Sequence, residues 1–196
     1  MNMTFPRCEN DNLLHPLAYS MALPRVLLTG FQPFHNNEEN ISEEVVRRFS
    51  RTGLKGVDLS TMVLSVDERG SRKCSEILGI DDSLDAIIHL GLSESRDKVS
   101  LEAIAKNLLE MSKPDNSGRM VRGSKIVHGA PDSLKITAPI HVLDEEFEHD
   151  ERVAWSEDAG GFVCNETLFR TLEAKGNGGT KVIFVHLPKK NSHQNE

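Results

Sequence analysis

The sequence predicts one α/β domain, a three-layer α/β/α sandwich with a mostly parallel, twisted central sheet. Short apolar runs alternate along the chain with amphipathic segments of helical period, and this order is typical of parallel sheets covered by helices. The 196 residues suffice for one substantial core. We therefore predict a single domain over residues 24–190, with a loose extension at 1–23, in which Met21 is an alternative first residue, and a polar tail at 191–196.

The first half of the chain predicts two strand–helix units and then a central strand. Residues 26–29 form an apolar run closed by a glycine, which predicts a buried strand. Ser42 precedes acidic residues and an amphipathic run, the pattern of a helix N-cap. The alternation at 57–66 predicts a strand, and the composition of 68–78 predicts a helix. The continuous apolar run at 84–92 predicts a strand that is covered on both faces.

The second half begins with a segment whose pattern is ambiguous. Residues 99–109 fit a strand or a helix, and the turn-rich segment 112–133 predicts a long surface excursion with one basic, strand-like piece. Four further elements complete the predicted fold: a helix at 139–147, a strand at 152–155, a helix at 160–172 and a last buried strand at 181–187.

Charge and cysteine content limit the partners and the compartment. The net charge of -7 and the pI near 5.6 argue against nucleic acid and anionic membranes, because both require a positive surface. Cys8, Cys74 and Cys164 are an odd number at long spacings, so we expect a reducing compartment and no disulfide framework. Residues 1–23 lack a signal-peptide pattern, and no stretch could span a bilayer. The sequence contains no HExxH motif, so it gives no indication of a metal site. We therefore expect a cytoplasmic protein with a small partner.

Cys164 is a candidate nucleophile because of its position. It follows Gly160 and Gly161 and falls in the first turn of the helix predicted at 160–172, where free backbone amides and the helix dipole stabilise a thiolate and can hold an oxyanion. A free cysteine is also among the most commonly buried side chains. On the local pattern alone, that structural interpretation is favoured.

A nucleophilic cysteine needs a base, and the base needs a group that orients it. His186 ends the last predicted strand, where open α/β sheets place their sites, whereas His89 lies inside an apolar strand, which favours a structural histidine. Glu102 is a lone charge in an apolar stretch and should have a partner. The spacing leaves open whether Glu102, Cys164 and His186 meet.

Five collinear matches resemble the pyroglutamyl peptidase I family, also called pyrrolidone carboxyl peptidases, which are cysteine peptidases with a Glu, Cys, His triad. The matching segments are TGFQPF at 29–34, GLSESRDKVSLEAIAKNL at 91–108, PDNSG at 114–118 with GAP at 129–131, SEDAGGFVCN at 156–165 and FVHLP at 184–188. The resemblance implies a phosphorylase/hydrolase-like fold. It places the catalytic glutamate, the nucleophile and the base on Glu102, Cys164 and His186.

The resemblance also implies a substrate and a mechanism. The expected substrate is a peptide whose N-terminal pyroglutamate is removed through a thioester acyl-enzyme, without a cofactor. A small neutral lactam ring suits aromatic faces with one or two amide hydrogen bonds. By correspondence with the family, the residues expected to bind it are Phe31, Phe34, Asn40, Phe162 and Val163.

The sequence departs from the family at several positions. Ser112 stands where bacterial and archaeal members commonly carry an arginine, and the segment after Pro188 lacks the family's long terminal helix. Glu157 and Asp158 replace neutral residues near the cysteine and would disfavour a thiolate if they pointed inward. Two alternatives to the enzyme follow: a catalytically impaired member that binds pyroglutamyl peptides as a regulatory module, and a structural domain whose triad residues never meet. The possibility of a homo-oligomer stays open.

Overall fold

The computed structural model describes residues 22–35 and 37–189. Cys8, most of the predicted extension and the predicted tail lie outside these ranges. The elements in chain order are β1 (Arg25–Phe31), α1 (Ile41–Thr52), β2 (Asp58–Leu64), α2 (Glu68–Leu78), β3 (Ala86–Ser93), β4 (Val99–Glu102), β5 (Ile104–Lys106), β6 (Leu109–Glu110), β7 (Arg122–Ser124), β8 (Ser133–Lys135), α3 (Ile140–Phe147), β9 (Val153–Ser156), α4 (Val163–Lys175) and β10 (Lys181–Pro188).

A six-stranded mixed sheet forms the centre, in the strand order β2-β1-β3-β10-β4-β9. The first four strands in this order run parallel, β4 is antiparallel to β10, and β9 is parallel to β4. The predicted α/β architecture with a mostly parallel sheet is therefore confirmed. The carboxyl ends of β1, β3 and β10 meet at one edge, which is where such sheets place their sites.

Helices cover both faces of this sheet. α1 contacts β1, β2 and β3, where Val46 packs with Leu28 and Leu90. α2 and α4 pack against each other, and Leu168 and Phe169 of α4 are fully buried in the larger core cluster. Neighbouring strand residues point to opposite faces, so Leu27 joins the larger cluster with Leu168 and Phe169, whereas Leu28 packs with Val46 on the other face. No helix within residues 22–35 and 37–189 is long and apolar enough to cross a membrane.

The ambiguous segment at 99–109 consists of strands. β4 joins the central sheet, whereas β5 pairs with β8 and β6 pairs with β7 in two short antiparallel ladders. The basic, strand-like piece of the surface excursion is β7. The sequence of this segment fits the helical and the strand pattern equally, and pairing with distant strands stabilises the strand conformation.

The start of α1 differs from the prediction. Asn40 is the N-cap, and its side-chain oxygen accepts a hydrogen bond from the backbone N–H of Ser42 at 3.0 Å. Ser42 is the second residue of the helix and is fully buried. Its hydroxyl donates to Asn40 and accepts the backbone N–H of Phe31 at 3.0 Å. This contact with β1 explains why Ser42 is turned inward and leaves capping to Asn40.

Candidate active site

Cys164 lies at the second position of α4, which begins at Val163 and not at the predicted Gly160. Gly160 has φ of +83°, a left-handed conformation that favours glycine. Gly161 lies against Glu110, and a Cβ there would come within 2.6 Å of the Glu110 carbonyl oxygen. The glycine pair therefore makes the tight turn that brings the chain into the helix. As predicted, Cys164 lies in the first helical turn.

The sheet register brings Glu102 and His186 together. Glu102 pairs with Phe184 across the β4–β10 ladder, and His186 lies two residues further along β10, on the same face of the sheet. Nδ1 of His186 donates a hydrogen bond to Oε1 of Glu102 at 2.7 Å. Glu102 is fully buried and His186 is nearly so. This hydrogen bond leaves Nε2 of the imidazole as the proton acceptor of the neutral ring.

Cys164 and His186 line one cavity of about 440 Å³. Gly91, the register partner of His186, allows this approach because a Cβ there would lie 3.2 Å from the Cys164 sulfur and 2.7 Å from the Phe184 ring. The Phe184 ring in turn packs on the imidazole, with 4.7 Å between centroids. The thiol and the imidazole thus share the space in which a substrate carbonyl could lie.

The charges around this cavity act in opposite directions. Burial by itself raises the pKa of Glu102, but the hydrogen bonds from His186 and Ser156, and then the charges of His186 and Arg96, bring that pKa below its ordinary value. Burial, and then the charge of Glu102, raise the pKa of the Cys164 thiol to about 12, although Arg96 and the helix-start amide act to lower it. Burial and the Glu102 charge therefore favour the protonated thiol and oppose the stabilisation that the helix position gives to a thiolate.

Of the two acidic residues upstream of the cysteine, Asp158 lines the same cavity with its carboxylate paired elsewhere. Asp158 forms an ion pair with Lys106 at 3.1 Å and accepts the backbone N–H of Gly160 at 3.2 Å, and Glu157 is exposed. Ser112 lines the cavity beside Lys113, whose Nζ lies 4.8 Å from the centre of the Phe34 ring. The charge that opposes ionisation of Cys164 therefore comes from Glu102.

The residues predicted to bind the lactam border one narrow cavity beside Cys164. The lining consists of Phe31, Phe34, Asn40, Val66, Leu92, Phe162, Val163 and Cys164. This cavity offers about 10 Å³, close to the space that one water needs. The rings of Phe34 and Phe162, both in this lining, lie with centroids 6.1 Å apart and planes tilted by 39°. Asn40 supports the wall of the cavity, because its side-chain amide donates to the carbonyl oxygen of Gln32 and accepts from the backbone N–H of Ser42.

His89 is a structural histidine, as its apolar strand indicates. Its two ring nitrogens lie 2.7 Å from the Thr29 hydroxyl and 3.1 Å from the Thr171 hydroxyl. Burial lowers the pKa of His89 to about 3. The ring is therefore neutral at physiological pH and fixes β1, β3 and α4 relative to one another.

Sequence reasoning missed two features of the site. Arg96, in the loop between β3 and β4, donates hydrogen bonds to Oε1 of Glu102 and to the Asp158 carbonyl oxygen. Further inside, Glu166 of α4 is fully buried between Arg119 and Arg170. Nothing in the sequence distinguishes Arg96 from a surface arginine, although Glu166 could have been noticed as a charge within an apolar helix. No group of three or more potential metal ligands occurs in the described ranges.

Comparison with known proteins gives this site a family. The sequence model described as pyroglutamyl peptidase matches residues 24–193. The chain belongs to the pyroglutamyl peptidase family. A pyrrolidone-carboxylate peptidase of Thermococcus onnurineus is 33% identical over 167 residues, which cover 84% of this chain and 83% of the relative. The resemblance seen in the sequence is thereby confirmed.

Solved structures of pyroglutamyl peptidases have the same fold. The pyrrolidone carboxyl peptidase of Fervidobacterium islandicum has a TM-score of 0.77 and 29% identity, with 86% of each chain covered. Pyroglutamyl peptidase I of Bacillus amyloliquefaciens has a TM-score of 0.75 and 28% identity, with 84% of this chain and 82% of that one covered. This chain is thus a pyroglutamyl peptidase family member in sequence and in architecture.

Proposed function

We propose that this protein is a cysteine peptidase that removes N-terminal pyroglutamate from peptides. The observation that carries the proposal is the buried hydrogen bond between Glu102 and His186, which lines one cavity together with Cys164 at the start of α4. This arrangement supports the assignment of Cys164 as nucleophile, His186 as base and Glu102 as the group that orients the base. Family membership favours the enzyme over the binding module or the purely structural domain.

The proposed reaction begins with a neutral thiol. His186 accepts the Cys164 proton on Nε2 as the sulfur attacks the pyroglutamyl carbonyl carbon, and Glu102 stabilises the imidazolium that forms. Backbone amides at the start of α4 hold the developing oxyanion. The tetrahedral intermediate collapses when His186 returns the proton to the leaving amine, which breaks the C–N bond. Water, deprotonated by His186, then hydrolyses the thioester and regenerates the thiol.

We further propose that the lactam ring binds between Phe34 and Phe162 above Phe31 and Val163. Their apolar surfaces suit a small neutral ring and offer no counter-ion to a charged amino terminus. Because the cavity holds about one water, entry of the ring requires Phe34 or Phe162 to move. We also propose that residues 24–190 act as one domain in the cytoplasm, supported by the continuous core and by an odd number of widely spaced cysteines, which suits a reducing compartment.

The test is release of a chromogenic amine from a pyroglutamyl amide, with a prolyl amide as the specificity control. We expect turnover of the pyroglutamyl amide only, and loss of at least about 1,000-fold of kcat in Cys164→Ala. Cys74→Ala is the matched control, since Cys74 is a buried cysteine of α2 outside the cavity, and it should keep its activity. Activity that survives Cys164→Ala would rule out the mechanism. Binding without turnover by the parent protein would select the binding module instead.

A further inference from the structure

Arg96 holds three parts of the site together. Its guanidinium contacts Oε1 of Glu102 at the end of β4, the hydroxyl of Ser156 at 3.0 Å and the Asp158 carbonyl oxygen at 2.6 Å. Its side chain is only 24% exposed and lines the same cavity as Cys164. A planar fork that bonds several acceptors in this way is a fixed element of the site, unlike a mobile surface charge.

The buried carboxylate of Glu102 needs this positive charge. Oε1 receives the hydrogen bonds from both His186 and Arg96, whereas Oε2 is buried and has no hydrogen-bond partner among the described residues. An ion in this position is costly without a counter-charge. While His186 is neutral, Arg96 is the cation in contact with the carboxylate.

Proton transfer in the proposed mechanism makes the charge of Arg96 more important. When the Cys164 proton moves to His186, the cavity holds a thiolate, an imidazolium, the Glu102 carboxylate and the guanidinium, which sum to zero. Without Arg96 the same state has one net negative charge in a buried place. Two other carboxylates line the cavity, and each has lysine partners of its own. Asp158 pairs with Lys106, and Glu94 pairs with Lys113 and Lys189.

We propose that Arg96 is a positioning residue of the proposed peptidase, whose charge helps to keep Glu102 ionised and facing His186. The proposal rests on the function proposed above. A side chain that only anchored the loop would act through its hydrogen bonds. The role proposed for Arg96 requires its positive charge as well. Arg96 also acts to lower the pKa of the Cys164 thiol, in agreement with this role.

Two substitutions separate charge from hydrogen bonding. Arg96→Lys keeps the charge without the fork, and Arg96→Gln keeps amide donors without the charge. We expect kcat to fall about 10- to 100-fold in Arg96→Gln, with a smaller change in KM, and to stay within about 5-fold of the parent in Arg96→Lys. Lys106→Gln is the matched control, because it removes the other cation that holds Asp158. It should leave kcat within about 3-fold.

Alkylation by iodoacetamide, followed on the Cys164 peptide by mass spectrometry, tests the charge without turnover. We expect Cys164 to react about 10-fold more slowly in Arg96→Gln at a fixed neutral pH, as loss of a neighbouring cation raises the pKa of a thiol. Equal rates in Arg96→Gln and the parent, or an Arg96→Lys protein as slow as Arg96→Gln, would overturn the proposal. Arg96→Gln failing to fold while Arg96→Lys folds would also overturn it. If the alkylation rates change as expected but the parent never cleaves the amide, the proposed function is wrong and the charge effect of Arg96 stands.

Discussion

Replacement of Gly91 by alanine tests the packing on which the site depends. The added Cβ would lie 2.7 and 2.8 Å from two carbons of the Phe184 ring and 3.2 Å from the Cys164 sulfur. Ordinary contact begins at 3.4 Å, so the ring must retreat by about 0.7 Å. Phe184 is fully buried and packs against His186, His89 and Phe31. The displacement is therefore transmitted to the imidazole and to the thiol.

The magnitude of the Gly91→Ala effect follows from this crowding. Overpacking of a core costs about 1–3 kcal/mol, which lowers the Tm of a chain of this length by about 2–4 °C per kcal/mol. Misplacement of reacting groups by about 1 Å lowers activity by about 100-fold. We therefore expect a folded variant with a lower Tm and a kcat/KM for the pyroglutamyl amide reduced by about two orders of magnitude.

Thermal unfolding followed by circular dichroism and the amide assay measure the two effects together. Gly179→Ala is the matched control, because nothing lies within 4 Å of the Cβ it would add. This variant should keep the Tm and the activity of the parent. A Gly91→Ala protein with unchanged Tm and kcat/KM within 2-fold of the parent would refute the argument that Gly91 makes room for the sulfur and the ring.

Two stability predictions concern buried polar groups. Because the pKa of His89 is lowered to about 3 in the folded state, the unfolded chain binds the extra proton below about pH 6.5, and the parent should lose about 1.4 kcal/mol of stability per pH unit there that His89→Gln does not lose. Urea unfolding of both proteins at pH 7 and 5 measures this, and equal losses would contradict it. Glu166→Gln should cost about 3 kcal/mol in urea unfolding, because it removes the buried carboxylate that Arg119 and Arg170 share and leaves Arg119 with Asp115 and Arg170 with the more distant Glu68. Glu173→Gln, on the exposed side of the same helix, should change the free energy of unfolding by under about 0.5 kcal/mol. Similar losses in both variants would disprove a stabilising role for the buried ion pairs of Glu166.

The elements predictable from sequence were those with a local cause. The apolar run at 84–92 became β3, and the helix expected at 68–78 is α2 with those same bounds. The pattern at 99–109 does not decide between strand and helix, since its strands are held by partners up to 86 residues away, as in the Ser100–His186 pairing. Capping by Asn40 in place of Ser42 has the same origin, because the contact of Ser42 with Phe31 lies outside the local sequence.

The site residues could be predicted only from the order of the family segments along the chain, because the sequence contains no distances between side chains. Collinear segments named Glu102, Cys164 and His186, and the structure brings Glu102 and His186 into a hydrogen bond and Cys164 to the same cavity. Arg96 escaped notice, because its importance depends on three acceptors that come from β4, the end of β9 and the segment before α4. A single arginine in a polar loop has no local signature of such contacts.

The state of the Cys164 thiol shows why position on a helix does not determine reactivity. A cysteine in the first turn of α4 gains from amides and dipole, an effect of about 0.3–1 kcal/mol near a helix end. Burial and the Glu102 charge act on the same sulfur with greater effect and raise its pKa to about 12. This direction agrees with the proposed reaction, in which the thiol proton passes to His186 during the attack. This makes the charges that surround the imidazole, Glu102 and Arg96, the groups that determine how readily the proton leaves.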